Sequence, residues 1–302
     1  MYQGVVVVNK EPGFTSFDVV AVCRRIFGQK AVGHTGTLDP MARGVLPVCL
    51  GRATKLSDLL LSSEKEYVCD LLLGETRDTD DSSGKLLSEA DPEVLSALTE
   101  EKVREKLFSY LGDSLQVPPR YAAIKIDGKK LYQYAREGRE VDVPGRPVSI
   151  YDLDILEMKL PRVHFRVRCS KGTYIRSLCR DVGRDLGVGG IMEGLLRESS
   201  GGFTLEEAYS LEELQGLKDS GRLEEVVLPV DLLLRDYPKR SIGPEGEKLL
   251  KNGNPLREKD LTEGDLEPGV MYRIYLQGKL FALYQYDGEK KMLRNIKMLQ
   301  EM

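Results

Sequence analysis

Residues 33–47 read GHTGTLDPMARGVLP and combine several glycines, one of the chain's two histidines and an aspartate directly before a proline. Pro40 disfavours the α region for Asp39 and so favours an extended backbone there. Gly33 and Gly36 suit sharp turns or the close approach of another backbone. The stretch therefore predicts a rigid loop that presents one carboxylate. The alternative that these residues leave open is a Gly/Pro turn with a solvated aspartate.

The composition predicts a water-soluble globular chain. Hydrophobic residues make up 41% and charged residues 30% of the 302 residues, which is more chain than one ordinary core needs and predicts two or three domains. The longest apolar run, near Val5 to Val8, is far too short to span a bilayer. No basic-then-apolar leader opens the sequence, so we expect no membrane contact and a cytoplasmic protein.

Several catalytic classes lack their motifs here. There is no Walker loop, no H-E-x-x-H and no G-x-G-x-x-G between a strand and a helix. Two histidines, His34 and His164, are too few for a typical His-rich metal site. The five cysteines form no C-x-x-C pair, which favours reduced thiols over disulfides or zinc. We therefore expect neither a metal nor a cofactor.

Charge is distributed unevenly along the chain. The net charge is −4, but residues 116–180 carry 14 Lys/Arg against 7 Asp/Glu, whereas residues 61–115 carry 6 against 14. Tyrosines lie among the basic residues, a combination that suits phosphate contacts and base stacking. The pattern predicts a nucleic-acid-binding face on 116–180, with the acidic segment turned away from it. A solvated basic face with core tyrosines is the alternative.

The hydrophobic pattern predicts an α+β fold around a mixed or antiparallel central sheet flanked by helices. We predict a polar loop at 74–84 and capping boxes at Thr204 and Ser210 that begin short helices. A boundary is expected near 228–238, followed by short strands at 271–276, 280–286 and 292–298 that suggest a small β-barrel. The other predicted strands are 5–8, 67–73, 148–160 and 163–169, and the other predicted helices are 15–27, 54–61, 92–111, 131–137 and 174–186.

The motif at 33–47 closely resembles the active-site motif of the TruB family, the bacterial tRNA pseudouridine-55 synthases, which reads G-H-x-G-x-L-D-P-x-A-x-G-V/M-L-P. Four further segments are similar to family motifs: NKEPGFTS at 9–16, with Glu11 for the usual proline; EKEY at 64–67 with LGETRDTD at 73–80; PPRYAAIK at 118–125, with Ala122 for the usual serine; and SKGTYIRSL at 170–178. The C-terminal part resembles the PUA domain appended to many family members.

The resemblance implies a pseudouridine synthase domain at 1–232, with an RNA-gripping insertion at about 112–147, and a PUA-like RNA-binding domain at 236–302. It also implies the reaction: uridine 55 in the tRNA T loop is flipped out, its N1–C1′ bond is cleaved, the uracil turns, and C5 joins C1′. The implied partner is the T-stem loop of tRNA, with no cofactor, no obligatory protein partner and a monomeric enzyme.

The resemblance implies that Asp39 is essential. It leaves open whether the carboxylate adds to the base, adds to C1′ or assists glycal formation; a carboxylate can act as a nucleophile or stabilise positive charge on the ribose. We expect Arg176 to form a charge-assisted bidentate pair with Asp39 that orients the carboxylate and keeps it ionised. A surface arginine at a helix start is the alternative.

Five more residues match family positions that bind substrate. Tyr67 is expected to stack on the extruded uracil or to take part in proton transfer, and His34 to stack beside the target or fill its gap. Tyr174 and Leu196 match positions that line the uracil pocket. Lys10 is expected to contact substrate or to hold its loop in place. A core or loop-stabilising role is the alternative for the other four.

Three rival functions remain for the same residues. An RNA chaperone would bind and fold tRNA, with catalysis secondary or lost. A nucleoside hydrolase or transglycosylase would need a placed water and usually a second acid, and no second carboxylate motif stands out. A synthase of the box H/ACA guide-RNA type would share the chemistry, but the short termini and the bacterial-style insertion argue against it.

Overall fold

The structure is a computed structural model that describes residues 1–61 and 64–300, so the last two residues of the predicted 236–302 domain lie outside the described part. The α-helices are α1 (Ser16–Phe27), α2 (Ser57–Leu61), α3 (Pro92–Ser96), α4 (Glu100–Phe108), α5 (Leu131–Arg136), α6 (Ile175–Asp185), α7 (Leu211–Asp219), α8 (Val230–Leu233) and α9 (Glu247–Lys251). The strands up to the middle of the chain are β1 (Gly4–Lys10), β2 (Val32–His34), β3 (Arg43–Leu50), β4 (Lys65–Leu73), β5 (Glu75–Arg77), β6 (Leu86–Glu89), β7 (Gly112–Gln116), β8 (Lys125–Ile126) and β9 (Lys129–Lys130). The remaining strands are β10 (Arg146–Lys159), β11 (Arg162–Cys169), β12 (Gly190–Ser200), β13 (Phe203–Thr204), β14 (Lys239–Ser241), β15 (Met271–Leu276), β16 (Lys279–Asp287) and β17 (Met292–Met298).

A mixed sheet forms the centre of the molecule. Within the described residues it has nine strands in the order β1-β3-β12-β4-β11-β10-β7, with β2 added to β3 and β13 added to β12. Its pairings are antiparallel except for β12 with β3, which is parallel. The predicted α+β class with a mixed central sheet is confirmed, and β4 is the central strand that the pattern at 67–73 predicts.

The first helix shows how local sequence sets element bounds. The Thr15 side chain accepts a hydrogen bond from the Asp18 amide, and the Asp18 carboxylate accepts one from the Thr15 amide. The two bonds form a capping box. The helix ends at Gly28 in the left-handed conformation, where glycine costs least. Alternate valines of β1 enter two different cores, Val6 and Val8 in one and Val5 and Val7 in the other. Both faces of the sheet are therefore covered at this edge.

Two sequence predictions are wrong in detail, and one strand is missing from the prediction. The 74–84 segment contains β5, which pairs with β6 in a hairpin. Residues 92–111 form two helices, because the Thr99 side chain caps a new one at Glu100. Strand β12 was not predicted, although it lies beside the central strand; Gly194 and the fully buried Arg197 break its apolar pattern.

The C-terminal residues form a separate sheet in the order β14-β15-β16-β17 around their own core. The three strands predicted at 271–298 are present, while closure into a PUA-like barrel stays a prediction. Leu56 and Leu234 pack with Leu283 and Leu299, so apolar contact joins this sheet to the rest of the chain. Across residues 1–61 and 64–300, no helix combines the length and the apolar run that a bilayer crossing needs.

At Gly44 the backbone of β3 packs directly against the backbone of β12. Its φ is +107°, and a Cβ built there would lie 2.3 Å from the carbonyl oxygen of Arg197. We expect Gly44→Ala to destabilise the fold by about 2 kcal/mol or more, because backbone strain adds to a clash with backbone that cannot move aside. Urea unfolding measures the change.

The matched control is Gly216→Ala in α7, where a Cβ meets nothing within 4 Å. Because alanine has less freedom in the unfolded chain, this variant should gain up to about 1 kcal/mol. Equal unfolding midpoints for the two variants would contradict the steric role of Gly44.

Candidate active site

The loop between β2 and β3 carries Asp39 and is tied to the start of α1. The Ser16 hydroxyl accepts a hydrogen bond from the Leu38 amide at 2.9 Å and donates to the Leu38 carbonyl at 3.3 Å. A turn follows, in which the Ala42 amide donates to the Asp39 carbonyl at 3.0 Å. The turn or close approach expected at Gly33 is wrong: this residue lies in β2, and a Cβ would be 3.9 Å from Thr54.

Lys10 holds the same loop from the end of β1. Its ammonium donates to the carbonyls of Glu11, Pro40 and Ala42 at 3.0, 3.2 and 2.5 Å, and the side chain is fully buried. Burial lowers the Lys10 pKa to about 8, although the charge of Asp39 opposes the change. This geometry favours the loop-holding alternative for Lys10 over a substrate contact.

Asp39 and Arg176 form the ion pair that the sequence predicts. The Arg176 Nη2 donates to Oδ1 at 3.1 Å, and Nε lies 2.9 Å from Oδ2 in a contact that is not aligned as a hydrogen bond. Arg176 is 5% exposed and Asp39 is 31% exposed, so the pair is closed on the arginine side and open on the carboxylate side. An entering molecule can therefore reach the carboxylate.

The electrostatics of Asp39 depend on two opposed effects. Burial among dense protein raises the pKa of its carboxyl, and the adjacent Arg176 guanidinium opposes the rise. An arginine does not lose its proton in a protein, so Asp39 faces a fixed cation that favours its ionised form. Because the Asp39 side chain is partly withdrawn from water, nearby charges act on its carboxylate more strongly than on a fully solvated one.

A loop of the acidic segment also meets Arg176. The guanidinium donates to the Thr79 carbonyl at 3.1 Å and lies 3.6 Å from Asp81. Asp81 is buried and accepts hydrogen bonds from Thr79 and Ser83, and the neighbouring Asp80 pairs with Arg180 at 3.0 Å. Neither aspartate has a predicted role from its own motif; the signal in the sequence is the pair of arginines one helical turn apart on α6, which need acidic partners.

Arg197 is the main residue that sequence reasoning missed. Its fully buried guanidinium donates to the carbonyls of Val45 at 2.7 Å, Gly36 at 3.2 Å and Thr37 at 3.5 Å. It therefore binds the chain on both sides of Asp39. Its position directly after Leu196 is the only sequence signal for a role in the site. That signal is weak, because an arginine in a strand is ordinarily exposed.

Tyr67 lies on β4 and is 7% exposed. Burial raises the pKa of its hydroxyl, and the charge of Arg197 together with a hydrogen bond to it opposes the rise. The phenol is therefore protonated at neutral pH. β4 pairs with β12 so that Tyr67 lies opposite Arg197. Arg197 in turn bonds to the Asp39 loop, so it links the tyrosine to that loop.

His34 ends β2 on the other side of the loop. Its Nδ1 accepts a hydrogen bond from the Gly36 amide at 3.3 Å, and its ring lies edge-on to Phe17 with centroids 5.3 Å apart. Burial first, and the Arg197 charge second, lower the pKa of His34. The ring is therefore uncharged at neutral pH, which suits stacking rather than ion pairing.

Tyr174 and Leu196 lie on the elements that flank the pair. Tyr174 precedes α6, and its backbone exchanges two hydrogen bonds with the Gln116 amide at 2.8 and 3.0 Å. Leu196 is half-buried on β12 opposite Arg43 and Val68. Tyr174 is two residues from Arg176, and Leu196 directly precedes Arg197. Contact of either residue with a substrate stays a prediction.

The arrangement as a whole is one accessible carboxylate held by cations. Arg176, on α6, lies against its two oxygens. Lys10 on β1 and Arg197 on β12 donate hydrogen bonds to backbone carbonyls of the surrounding loop. Such a group can attack an electrophilic carbon or stabilise a developing cation, since its position is fixed before a ligand arrives.

The chain is similar to known proteins over nearly its whole length. Residues 24–175 match the family model described as TruB family pseudouridylate synthase, N-terminal domain, and residues 176–235 match the tRNA pseudouridylate synthase B C-terminal domain. The chain is 43% identical to tRNA pseudouridine synthase B of Clostridium tetani, over 95% of this chain and 96% of that protein. It is 42% identical to the protein of the same name from Alkaliphilus oremlandii, over 99% and 98%.

Solved structures also resemble the chain. A chain of a Cbf5-Nop10-Gar1 complex superimposes with a TM-score of 0.74 at 26% identity, over 99% of this chain and 86% of that chain. A chain of an H/ACA RNP bound to a substrate RNA containing 2′-deoxyuridine superimposes with a TM-score of 0.73 at 25% identity, over 98% and 85%.

The Asp39–Arg176 pair makes a measurable prediction. Because the guanidinium lowers the carboxyl pKa that burial raises, Arg176→Gln should raise the Asp39 pKa further above its ordinary value. Carbon-13 NMR of aspartate-labelled protein, with Asp39→Asn to assign the signal, measures it. Arg184→Gln, two turns along α6 and 65% exposed, should leave this pKa in place. An equal shift in both variants would contradict the direct pairing.

Proposed function

The chain belongs to the TruB family of pseudouridylate synthases, and from that premise we propose that it converts uridine 55 in the T loop of tRNA to pseudouridine. The observation that carries the proposal is the accessible Asp39 carboxylate paired with a buried Arg176 inside the motif at 33–47. The curated relatives named tRNA pseudouridine synthase B, which match nearly the whole chain, support tRNA as the substrate.

The proposed reaction is an isomerisation and needs no net oxidation or reduction. The N1–C1′ bond breaks, the uracil turns while it stays bound, and C5 forms a bond to C1′. C5 gives up its proton and N1 ends with one, so atoms and electrons balance within the nucleotide and solvent.

In this proposal Asp39 meets the reacting nucleotide. Positive charge develops on the ribose as N1 leaves, and a nearby carboxylate either bonds to the carbon or stabilises the charge. Arg176 hydrogen-bonds to one carboxylate oxygen and lies against the other, so little reorganisation is needed when the charge develops. Whether the carboxylate adds to the base, adds to C1′ or assists a glycal is left open, since each route needs the same aspartate.

Access to the uridine requires base flipping, because a base inside folded RNA cannot reach a recessed carboxylate. We assign Tyr67 to the face of the flipped uracil, and Tyr174 and Leu196 to the walls of the pocket. His34 is assigned to the RNA side, where its uncharged ring fills the gap or stacks on a neighbouring base. The few kcal/mol that unstacking costs are offset by these contacts.

The proposal divides the chain by role. Residues 1–232 carry the chemistry, residues 112–147 grip the T-stem loop, and residues 236–302 add RNA contacts as a PUA-like domain. The start of the proposed insertion is bonded to α6: the Val117 carbonyl accepts from Ser177 and Arg180, and the Tyr121 carbonyl accepts from Arg176. The enzyme is proposed to act as a monomer without an obligatory protein partner.

The central test uses the purified chain alone with an unmodified tRNA transcript. Carbodiimide labelling and mass spectrometry should find one new pseudouridine, at position 55. Asp39→Asn should lower turnover by about a thousandfold or more, as loss of an essential catalytic group does, and leave tRNA binding largely intact. Asp219→Asn, an exposed aspartate in α7, is the matched control and should keep full activity.

The other outcomes distinguish the rival functions. Tight tRNA binding without product would favour a chaperone, and free uracil a hydrolase. Product that forms only when a guide RNA is added would favour the box H/ACA type. Parallel loss of binding and turnover in Asp39→Asn would make the aspartate structural.

A second test locates the RNA-binding face. Affinity that rests on phosphate contacts should fall steeply with salt, and Lys125→Gln, an exposed residue of the insertion, should reduce the slope of log K against log salt by about 0.7 to 0.9. Lys102→Gln, an exposed residue of the acidic segment, should leave the slope unchanged. A flat salt response, or equal effects of the two variants, would contradict the assignment.

A further inference from the structure

Phe17 is an exposed aromatic residue on α1, a helix that buries one apolar face. Its side chain is 69% exposed, although Val19, Val20 and Cys23 of the same helix lie in the core. A single exposed apolar residue is ordinary on a protein surface and needs no explanation by itself. Phe17 differs because of what it touches.

The Phe17 ring contacts the ring of His34. Their centroids are 5.3 Å apart and the planes meet at 82°, an edge-to-face arrangement in which the exposed fraction of Phe17 leaves ring surface open to solvent. His34 is itself fixed by a hydrogen bond from the Gly36 amide. The two rings therefore form a rigid aromatic pair with one open side.

This aromatic pair lies at the rim of the Asp39 loop. Ser16 and Leu38 are joined by two hydrogen bonds. Phe17 follows Ser16 in the chain and Asp39 follows Leu38, so each is one residue from the same contact. The start of α1, which carries Phe17, is therefore held beside the loop that presents Asp39.

We propose that Phe17 stacks on a nucleobase next to the target uridine and so extends the RNA-binding site beyond His34. This inference rests on the proposed function, since it takes tRNA as the ligand. When a nucleotide flips out of an RNA loop, the bases on either side of it lose a stacking neighbour. An aromatic face can stack on such a base whatever its identity.

The test measures RNA binding separately from catalysis. In the Asp39→Asn background, Phe17→Ala should weaken binding of a T-arm RNA by about 5- to 150-fold, the range that loss of one stacked base gives. Phe17→Tyr should bind as the parent does, and Phe17→Leu, which keeps apolar area but no ring, should not. Leu87→Ala, which removes a side chain 62% exposed on β6, is the matched control and should have no effect.

Fluorescence gives a direct readout of stacking. The chain contains no tryptophan, so Phe17→Trp provides a single reporter at the proposed contact. Its emission should be quenched by the T-arm RNA, whereas the emission of Leu87→Trp should not change. No quenching at position 17, or full binding by Phe17→Ala or Phe17→Leu, would overturn the inference.

The same experiments separate this inference from the function itself. Product from the wild-type chain together with unchanged binding in Phe17→Ala would overturn only the stacking role. Quenching in Phe17→Trp without any pseudouridine from the wild-type chain would support the RNA contact and overturn the proposed reaction.

Discussion

The candidate site depends on one buried cation. The Arg197 guanidinium is removed from water and bonds to carbonyls on both sides of Asp39, at Gly36, Thr37 and Val45. Burying a charge is costly unless hydrogen bonds replace its hydration, so this arginine is stable only while the loop keeps its shape. The loop and the arginine therefore specify each other, and the close approach of β3 and β12 at Gly44 makes that contact possible.

Much of the architecture could be predicted from local sequence, because capping residues and apolar periods act within one element. The bounds of α1 follow from Thr15 and Gly28, and the Asp39–Arg176 pair follows from two recognisable motifs. Strand β12 could not be predicted, since a fully buried arginine reads as a surface residue until its partners are known. The same holds for Asp81, whose role depends on a helix far along the chain.

Acidic residues within one segment of the chain differ in whether they face solvent or the protein interior. The sequence predicts that the acidic segment 61–115 faces away from RNA, yet its residues Asp80 and Asp81 lie against arginines of α6 at the candidate site. Their charge is partly neutralised inside the protein and is not presented to a ligand. Net charge summed over a segment therefore overstates the repulsion that RNA would meet here, whereas Lys102 and its neighbours on α4 remain a solvent-facing acidic and basic mixture.

Strand β12 has a consequence for how the protein is made. It inserts between β3 and β4, which precede it by more than a hundred positions in the chain, and it supplies the arginine that shapes the Asp39 loop. During synthesis β3 and β4 lack their shared neighbour until β12 has been made, because this pairing is long-range and requires closure of a long loop. A nascent or truncated chain that ends before residue 197 holds Asp39 without its clamp. Such a fragment lacks the hydrogen bonds by which Arg197 holds the loop, so the candidate site takes its final geometry only after β12 has been synthesised.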